Sequence, residues 1–563
     1  MGFELKEISE RKIDLQIFIL FVLTAFVSCY FYFRSFGFYE DDYYHITLNL
    51  KITFSDLLEF ISIRLTNWFQ GHPLAFFPSL FTYLGMRSGG IATLYIFGCM
   101  ILSVNAFLFY RFLTKLYPDS KILASAAGLM FILFPANSTK IFLTYSFTMQ
   151  LSLTFFIIAC ILYFSDKEIL AYVFIIFSLF LYEPVFIIFI GIPLLKLKNP
   201  GKARREFLKH VGVMLAILTF TFIIRRLMSE SRIEEVINNL PGFAKDSISG
   251  MIYGTITVLK NLIYTPLAVT GELNYSYLFF FVSGFILIGL TFAASYKKNI
   301  LTESYDTEST QSGKDILRLL VVSVILIMLS YSMPLLKYPV TTEAGRMSSV
   351  HTSAVIGISI LFGLFCKLLT NASKGRAMKV ITFSVVSIYL SFLFVFNVII
   401  QKDYSRSWEI QKDFWTEVKR LCPDLKDSTV VFAVQSENNK IRKTKYISSN
   451  SWLDPIILKQ IYQFPDYWKN PPRLFVMTED WKNKVFLNNG KPEWKVPSVT
   501  WVSHNEELPD SNLIILKPEE NYKLLRDYSS VSINEKILNL RPENSPVFKN
   551  WKKGILDSYL IRQ

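Results

Sequence analysis

Apolar runs long enough to cross a bilayer recur between Leu15 and Gln401, and they constrain this chain more than any motif. A hydrocarbon core of about 30 Å is spanned by about 20 apolar residues in a helix. Such runs fall near 15–34, 90–111, 121–136, 146–164, 169–182, 184–197, 207–228, 276–296, 316–336, 351–369 and 380–401. They predict an α-helical polytopic membrane protein with about eleven transmembrane helices. Several runs are short. The pair around Leu181-Tyr182-Glu183-Pro184 also reads as one broken helix, because Pro removes a backbone donor and clashes with the preceding turn. The chain is 52% hydrophobic and only 18% charged, against about 25% charged in soluble domains. No small-residue cleavage site follows the first run before Glu40-Asp41-Asp42, so that run is expected to remain as an anchor.

Charge orients the predicted spans. With Lys6, Arg11 and Lys12 in the cytoplasm, the following clusters all fall on the same side. They are Arg111/Lys115/Lys121, Lys167, Lys196 to Lys209, Lys297/Lys298/Lys314/Arg318 and Lys367/Lys374/Arg376/Lys379. This is the sorting the positive-inside rule requires. It accounts for a net charge of +14 without a nucleic-acid partner. Arg225 and Arg226 are the exceptions, at an outer helix end. An odd number of spans then puts everything after Gln401 outside.

The expected organisation is a membrane domain over 1–401 and a soluble extracytoplasmic domain over 402–563. In the latter, 429–434, 474–477 and 513–516 read as buried strands, and 408–421 and 522–528 as helices. That makes an α/β or α+β domain, without a nucleotide-binding glycine loop or a metal-ligand cluster. Cys29, Cys99, Cys160, Cys366 and Cys422 have no zinc or disulfide spacing and read as buried thiols. Residues 35–89 form a long first outer loop, with surface helices expected at 54–69 and 73–84. A second outer segment, 229–276, includes the apolar stretch 252–267. The inner loop 299–315 is polar and reads as a loop without regular structure.

Two motifs carry chemistry. Phe38-Tyr39-Glu40-Asp41-Asp42-Tyr43-Tyr44-His45 follows the first span directly. Carboxylates near lipid are costly unless paired, hydrated or used, and a low dielectric suits one of them to accept a proton. A solvated acidic turn is the plain alternative. The second motif is Trp68-Phe69-Gln70-Gly71-His72-Pro73-Leu74, in which Pro73 suits a first helical turn and puts His72 at the helix start.

An acidic pair after the first span, then surface helices, then His72-Pro73-Leu74, resembles the C-type (GT-C) membrane glycosyltransferases. The pattern is similar to that of protein O-mannosyltransferases, the aminoarabinose transferase of lipid A and bacterial O-antigen glucosyltransferases. In those families the first outer loop carries an acidic pair, here Asp41-Asp42, and a His-Pro-Pro-Leu-like stretch closes it, here with one proline missing. The likeness covers the N-terminal half in order and spacing. Beyond about residue 165 it rests on helix count and the outside C-terminal domain.

The resemblance implies an inverting glycosyltransferase of the inner (plasma) membrane, working on the periplasmic or extracellular face. The donor would be a sugar on a polyprenyl phosphate, and the acceptor a glycan, lipid or protein. Asp41 or Asp42 would take the acceptor's proton, with Glu40, Tyr44 and His45 beside them. Arg346 is the preferred cradle for the leaving phosphate. Lys337, His351, His72, Lys140 and Lys260 are further candidates, and Glu183 is an acid that could support the site from behind. The loop 137–150 lacks the extra acid of some relatives, so metal-independent chemistry is expected, with no cofactor. A lipid-linked glycan polymerase or ligase, a transporter and a structural membrane subunit are the alternatives.

Overall fold

The computed structural model describes residues 2–562 except 69–70, 119, 196–199, 229, 304–312, 334–339, 436–440, 442–452, 479–484, 490, 497–503, 509–511, 520–522, 530, 534–535 and 543–551. In chain order the first helices are α1 (Gly2–Ala25), α2 (Asp42–His45), α3 (Phe54–Asn67), α4 (Phe77–Ser88), α5 (Ile91–Leu116) and α6 (Lys121–Leu133). Next come α7 (Leu143–Phe147), α8 (Met149–Tyr163), α9 (Glu168–Leu179), α10 (Glu183–Ile188), α11 (Pro200–Leu227), α12 (Ser231–Asn238) and α13 (Leu240–Thr270). The last are α14 (Tyr275–Glu303), α15 (Gly313–Leu329), α16 (Val355–Ala372), α17 (Gly375–Leu421), α18 (Asp454–Ile461) and α19 (Asp557–Leu560). The chain divides into two compact units, Met1–Phe33 with Thr53–Gln401, and Arg34–Ile52 with Lys402–Gln563.

The first unit is a helical bundle. Among the described residues, seven helices are long and apolar enough to cross a membrane. Four predicted spans come out shorter than a full crossing: α6 has 13 residues, α9 has 12, α10 continues as 3-10 turns to Leu195, and α15 has 17. At 1.5 Å per residue, α6 covers about 20 Å. Every residue of α6 is buried, as befits a helix apolar all round at the centre of a bundle. Small residues set how closely its neighbours approach. A Cβ on Gly363 of α16 would lie 2.5 Å from the Leu123 carbonyl oxygen, and one on Gly128 would lie 2.5 Å from the Phe21 ring. The break expected near Pro184 is present. α9 stops at Leu179, Tyr182 is extended, and Pro184 sits in the first turn of α10, where its missing N–H costs nothing.

One expectation for the segment 35–89 changes. The predicted helix at 73–84 starts later: Gly71 to Phe76 form turns, and α4 begins at Phe77 with Pro78 in its first turn. His72 therefore belongs to the turn and not to the helix start. The apolar stretch 252–267 lies within the 31-residue α13, which contacts α15. Gly250 and Gly254, one helical turn apart, let α13 meet the backbone and ring of Tyr331. Part of 299–315 continues α14 to Glu303, and 304–312 lie outside the described residues.

The strands of the second unit are β1 (Val430–Gln435), β2 (Tyr462–Gln463), β3 (Arg473–Thr478), β4 (Val485–Asn488), β5 (Lys491–Val496), β6 (His504–Glu507), β7 (Leu513–Pro518) and β8 (Leu524–Asp527), of which four form a sheet ordered β3-β1-β7-β8. β1 pairs in parallel with β3 and β7, and β8 adds antiparallel to β7. β4, β5 and β6 form an antiparallel sheet. β9 (Val531–Ile533) pairs with β10 (Lys536–Leu538), and β11 (Lys552–Lys553) with β2. Val430, Phe432, Phe475, Trp494, Leu513 and Ile515 fill the core. The three predicted strands are found. The predicted helix at 522–528 is instead strand β8 over 524–527, whose side chains alternate between buried and covered less, the period of a sheet face.

Arg34–Ile52 clusters with this second unit, although the sequence reading kept it with the membrane domain. The physical cause is its aromatic content. Phe38, Tyr39 and Tyr43 are fully buried. Phe38 packs edge-on to Trp408 and Tyr559, and Tyr39 packs against Tyr404. Gly37 lies flat on Trp408, where a Cβ would overlap the indole. Asp424 joins Arg526 and Arg541 in a fully buried ion cluster, with Arg526 also donating to the last carbonyl of α17, at Leu421 (3.0 Å).

Candidate functional site

In the second unit, the acidic motif folds into one tight turn. Asp42 Oδ2 accepts from the Tyr39 N–H at 3.2 Å, and the Asp42 N–H donates to the Tyr39 carbonyl at 3.0 Å. Glu40 sits at φ +49, a left-handed conformation uncommon for a residue with a side chain. Such geometry persists where its surroundings over-determine it. Here Tyr39 Oη donates to the Tyr404 carbonyl (2.9 Å), Tyr43 Oη donates to Gln411 Oε1 (2.7 Å), and Gln460 Nε2 donates to the Tyr43 carbonyl (3.2 Å). Burial pushes both phenols up, so they remain protonated donors. Asp42 is fully buried, Glu40 nearly so, and Asp41, Tyr44 and His45 are half-buried. The turn therefore fixes the backbone of three acidic residues and the carboxylate of Asp42, and leaves Asp41 the most accessible of them.

In the first unit, the structure brings His72 and Glu183 together through a residue the sequence reading did not assign. Arg225, in the last turn of α11, puts Nη1 2.8 Å from Glu183 Oε1. Its Nη2 donates to the Gly71 carbonyl at 2.7 Å, and its Nε lies 3.6 Å from Glu230 Oε2. His72 Nε2 is 3.6 Å from the same Glu183 oxygen. All four side chains are at most 18% exposed. Gly71 is at φ +71, and any Cβ there would strike the Arg225 guanidinium. Two carboxylates thus face one guanidinium. The available signal was Arg225 itself, a basic residue on the wrong side of the charge sorting. Glu230 carried no such signal.

The remaining candidates fall elsewhere in the first unit. Lys140 is buried, and Nζ donates to the Ile132 and Phe134 carbonyls (2.8 Å each) and to Asn397 Oδ1 (3.1 Å). It closes the carbonyl end of α6, where a cation is favoured. Burial pushes its amine down to about 8. His351 Nε2 is 2.8 Å from the Thr341 carbonyl, which can only accept. The proton is thus on Nε2, and Nδ1 accepts from Tyr331 Oη at 2.5 Å. Arg346 opens the short helix Arg346–His351, half-buried, after Gly345 at φ +123. Hydrogen bonds from Gly345 N to Ser138 Oγ (2.7 Å) and from Asn137 Nδ2 to Thr352 Oγ1 (2.9 Å) join this loop to 137–140. Lys337 lies outside the described residues, and Lys260 is in α13. Among the described residues no group of three or more His, Cys, Asp or Glu side chains is placed to hold a metal ion.

No protein-family model matches the chain, and no curated protein matches it. Any functional reading therefore rests on these residues.

Proposed function

We propose that this protein is a membrane glycosyltransferase that moves a sugar from a polyprenyl phosphate to an acceptor hydroxyl with inversion. The observation that carries the reading is the acidic turn. It combines a left-handed Glu40, a buried Asp42 tied to the Tyr39 N–H, and a half-buried Asp41. Carboxylates on a fixed turn directly after an apolar helix suit proton abstraction at a membrane surface. Asp41, the more accessible, is our choice for the base, and Asp42 for the residue that positions it. The base takes the acceptor O–H proton. The oxygen attacks the anomeric carbon as the bond to the phosphate oxygen breaks, and polyprenyl phosphate leaves as an anion. Cationic or hydrogen-bonding groups would stabilise that charge. The sorting of basic residues supports a cytoplasmic N-terminus, a reaction on the opposite face and about eleven spans.

The test is sugar transfer from a radiolabelled polyprenyl-phosphate hexose in membranes holding wild type, Asp41→Asn or Asp42→Asn at matched levels. Transfer lost in Asp41→Asn supports the assignment, and equal transfer in all three sinks it. A second reading, transport, is favoured by one observation: the His72–Glu183–Arg225–Glu230 ion cluster within the helical unit, a feature of substrate and ion pathways. Flux across proteoliposomes without glycosyl transfer would decide for it.

A further inference from the structure

A groove of about 840 Å³ opens in the helical unit between α13, α15, α16 and α17, toward the upper end of the roughly 300–1,000 Å³ of ligand pockets. Its walls include Leu267, Leu320, Phe365, Leu368, Val385 and Tyr389. The one hydroxyl among its lining residues, that of Tyr389, is used by the Leu262 carbonyl at 2.9 Å. The lining therefore offers carbon and no free polar group.

Position along the helices gives the groove a direction. It uses the second half of α16, the first part of α17 and the first half of α15. Leu368 and Leu369 lie within about one turn of the end of α16. There the chain reverses at Ser373, held by the Ser373 Oγ to Thr382 Oγ1 hydrogen bond of 2.6 Å, and passes Gly375 at φ +84 into α17. Lys374 and Arg376 stand on this turn, both exposed, with no hydrogen bond or ion pair to described residues. Lys379, one turn on, lies over the Tyr296 ring at 5.7 Å. Lys374 and Arg376 thus follow the lining residue Leu369 by five and seven positions, just past the end of α16.

A carbon-walled groove whose α16 wall leads into a turn with two exposed cations matches a hydrocarbon chain with an anionic headgroup. We infer that it is a binding site for an anionic phospholipid of the bilayer, with an acyl chain along α16 and α17 and its phosphate at Lys374 and Arg376. Charge complementarity selects an anionic over a zwitterionic lipid. The inference rests on the helices lying in a bilayer and is independent of sugar transfer. By the sorting of basic residues the site faces the leaflet opposite the proposed reaction.

The test is native mass spectrometry of the full chain released from nanodiscs of equal dioleoyl phosphatidylglycerol and dioleoyl phosphatidylcholine. Retention of phosphatidylglycerol by at least about tenfold over phosphatidylcholine is expected, since each surface cation adds roughly a factor of five for an anionic membrane. Lys374→Ala/Arg376→Ala should remove the preference while leaving the melting temperature unchanged, because both residues are exposed on a turn. Val385→Trp should lower retention of either lipid by filling the groove. Equal retention of the two lipids by wild type, or a preference that survives Lys374→Ala/Arg376→Ala, would overturn the site. Sugar transfer assayed on the same preparations separates this outcome from that of the catalytic reading.

Discussion

Arg225 holds Glu183 at 2.8 Å from the last turn of α11, and the same guanidinium clasps the Gly71 carbonyl one residue before His72. One side chain thereby joins three segments far apart in sequence: the turn after α3, the start of α10 and the end of α11. Both partners are close to nine-tenths buried, so the pair is strongly coupled to its surroundings.

Breaking this pair from one side should cost more than removing it whole. Arg225→Met or Glu183→Gln alone leaves a buried charge with its weaker partner only, at up to about 3–5 kcal/mol. The double variant is expected to lose clearly less than the sum. Thermal unfolding of the four proteins in one detergent measures the coupling, and additive losses would show that the ion pair is screened.

Gly71→Ala should act through the same contact. The new methyl meets the Arg225 guanidinium, and φ +71 is strained for alanine by about 1–3 kcal/mol. A drop in melting temperature that Arg225→Ala partly relieves would identify the clash as the cause.

The two aspartates are predicted to separate by readout. Asp41→Asn should lower transfer by roughly 10²–10⁴-fold, the range of general-base loss, with an unchanged melting temperature. Asp42→Ala loses the acceptor for the Tyr39 N–H, and should lower stability by about 1–2 kcal/mol as well as activity. Transfer rates and melting curves on matched samples make the comparison. Full transfer by Asp41→Asn would remove it as the base.

Lys140→Met should destabilise the bundle while leaving the acidic turn intact. It leaves the Ile132 and Phe134 carbonyls and Asn397 Oδ1 without their donor, at about 1–3 kcal/mol for each buried group that stays unsatisfied. Hydrogen exchange should rise first at the end of α6. Unchanged exchange there would refute the capping role.

Asp424 makes the second unit acid-sensitive. Burial alone would raise its pKa, but the hydrogen bonds and charges of Arg526 and Arg541 outweigh this and hold it below the usual carboxylate range. A carboxyl more acidic in the folded than the unfolded state stabilises fully above its ordinary value of about 3.9. That stabilisation falls away as pH drops through the lowered folded value. Hydrogen exchange at β1 and β8 should therefore accelerate below about pH 4, and Asp424→Asn should show fast exchange already at pH 7. A flat profile in wild type would contradict the assignment.

Much of the secondary structure could be read from local pattern. β1, β3 and β7 are short runs of branched and aromatic residues bounded by polar ones, and the stop between α9 and α10 follows from Pro184. Residues 522–528 misled because two adjacent leucines suit a helix face as well as a buried strand. The late start of α4 was hidden because Pro73 and Pro78 are both acceptable first-turn residues, and Gly71 is held in its turn by an arginine about 150 positions away. Glu183 and His72 were each visible as candidates, but nothing local pairs them.

The sequence by itself determined that this chain is rich in membrane-length apolar helices and that a strand-bearing region follows Gln401. These are properties of composition and of periods a few residues long, so neighbours along the chain suffice to set them. Tertiary structure decided that Arg34–Ile52 clusters with the C-terminal unit, that Lys140 caps a helix, and that Arg225 gathers His72 and Glu183. Each of these depends on which buried polar or aromatic group finds a partner hundreds of positions away or across the bundle, and the penalty for an unpaired buried group, not any local preference, selects the arrangement.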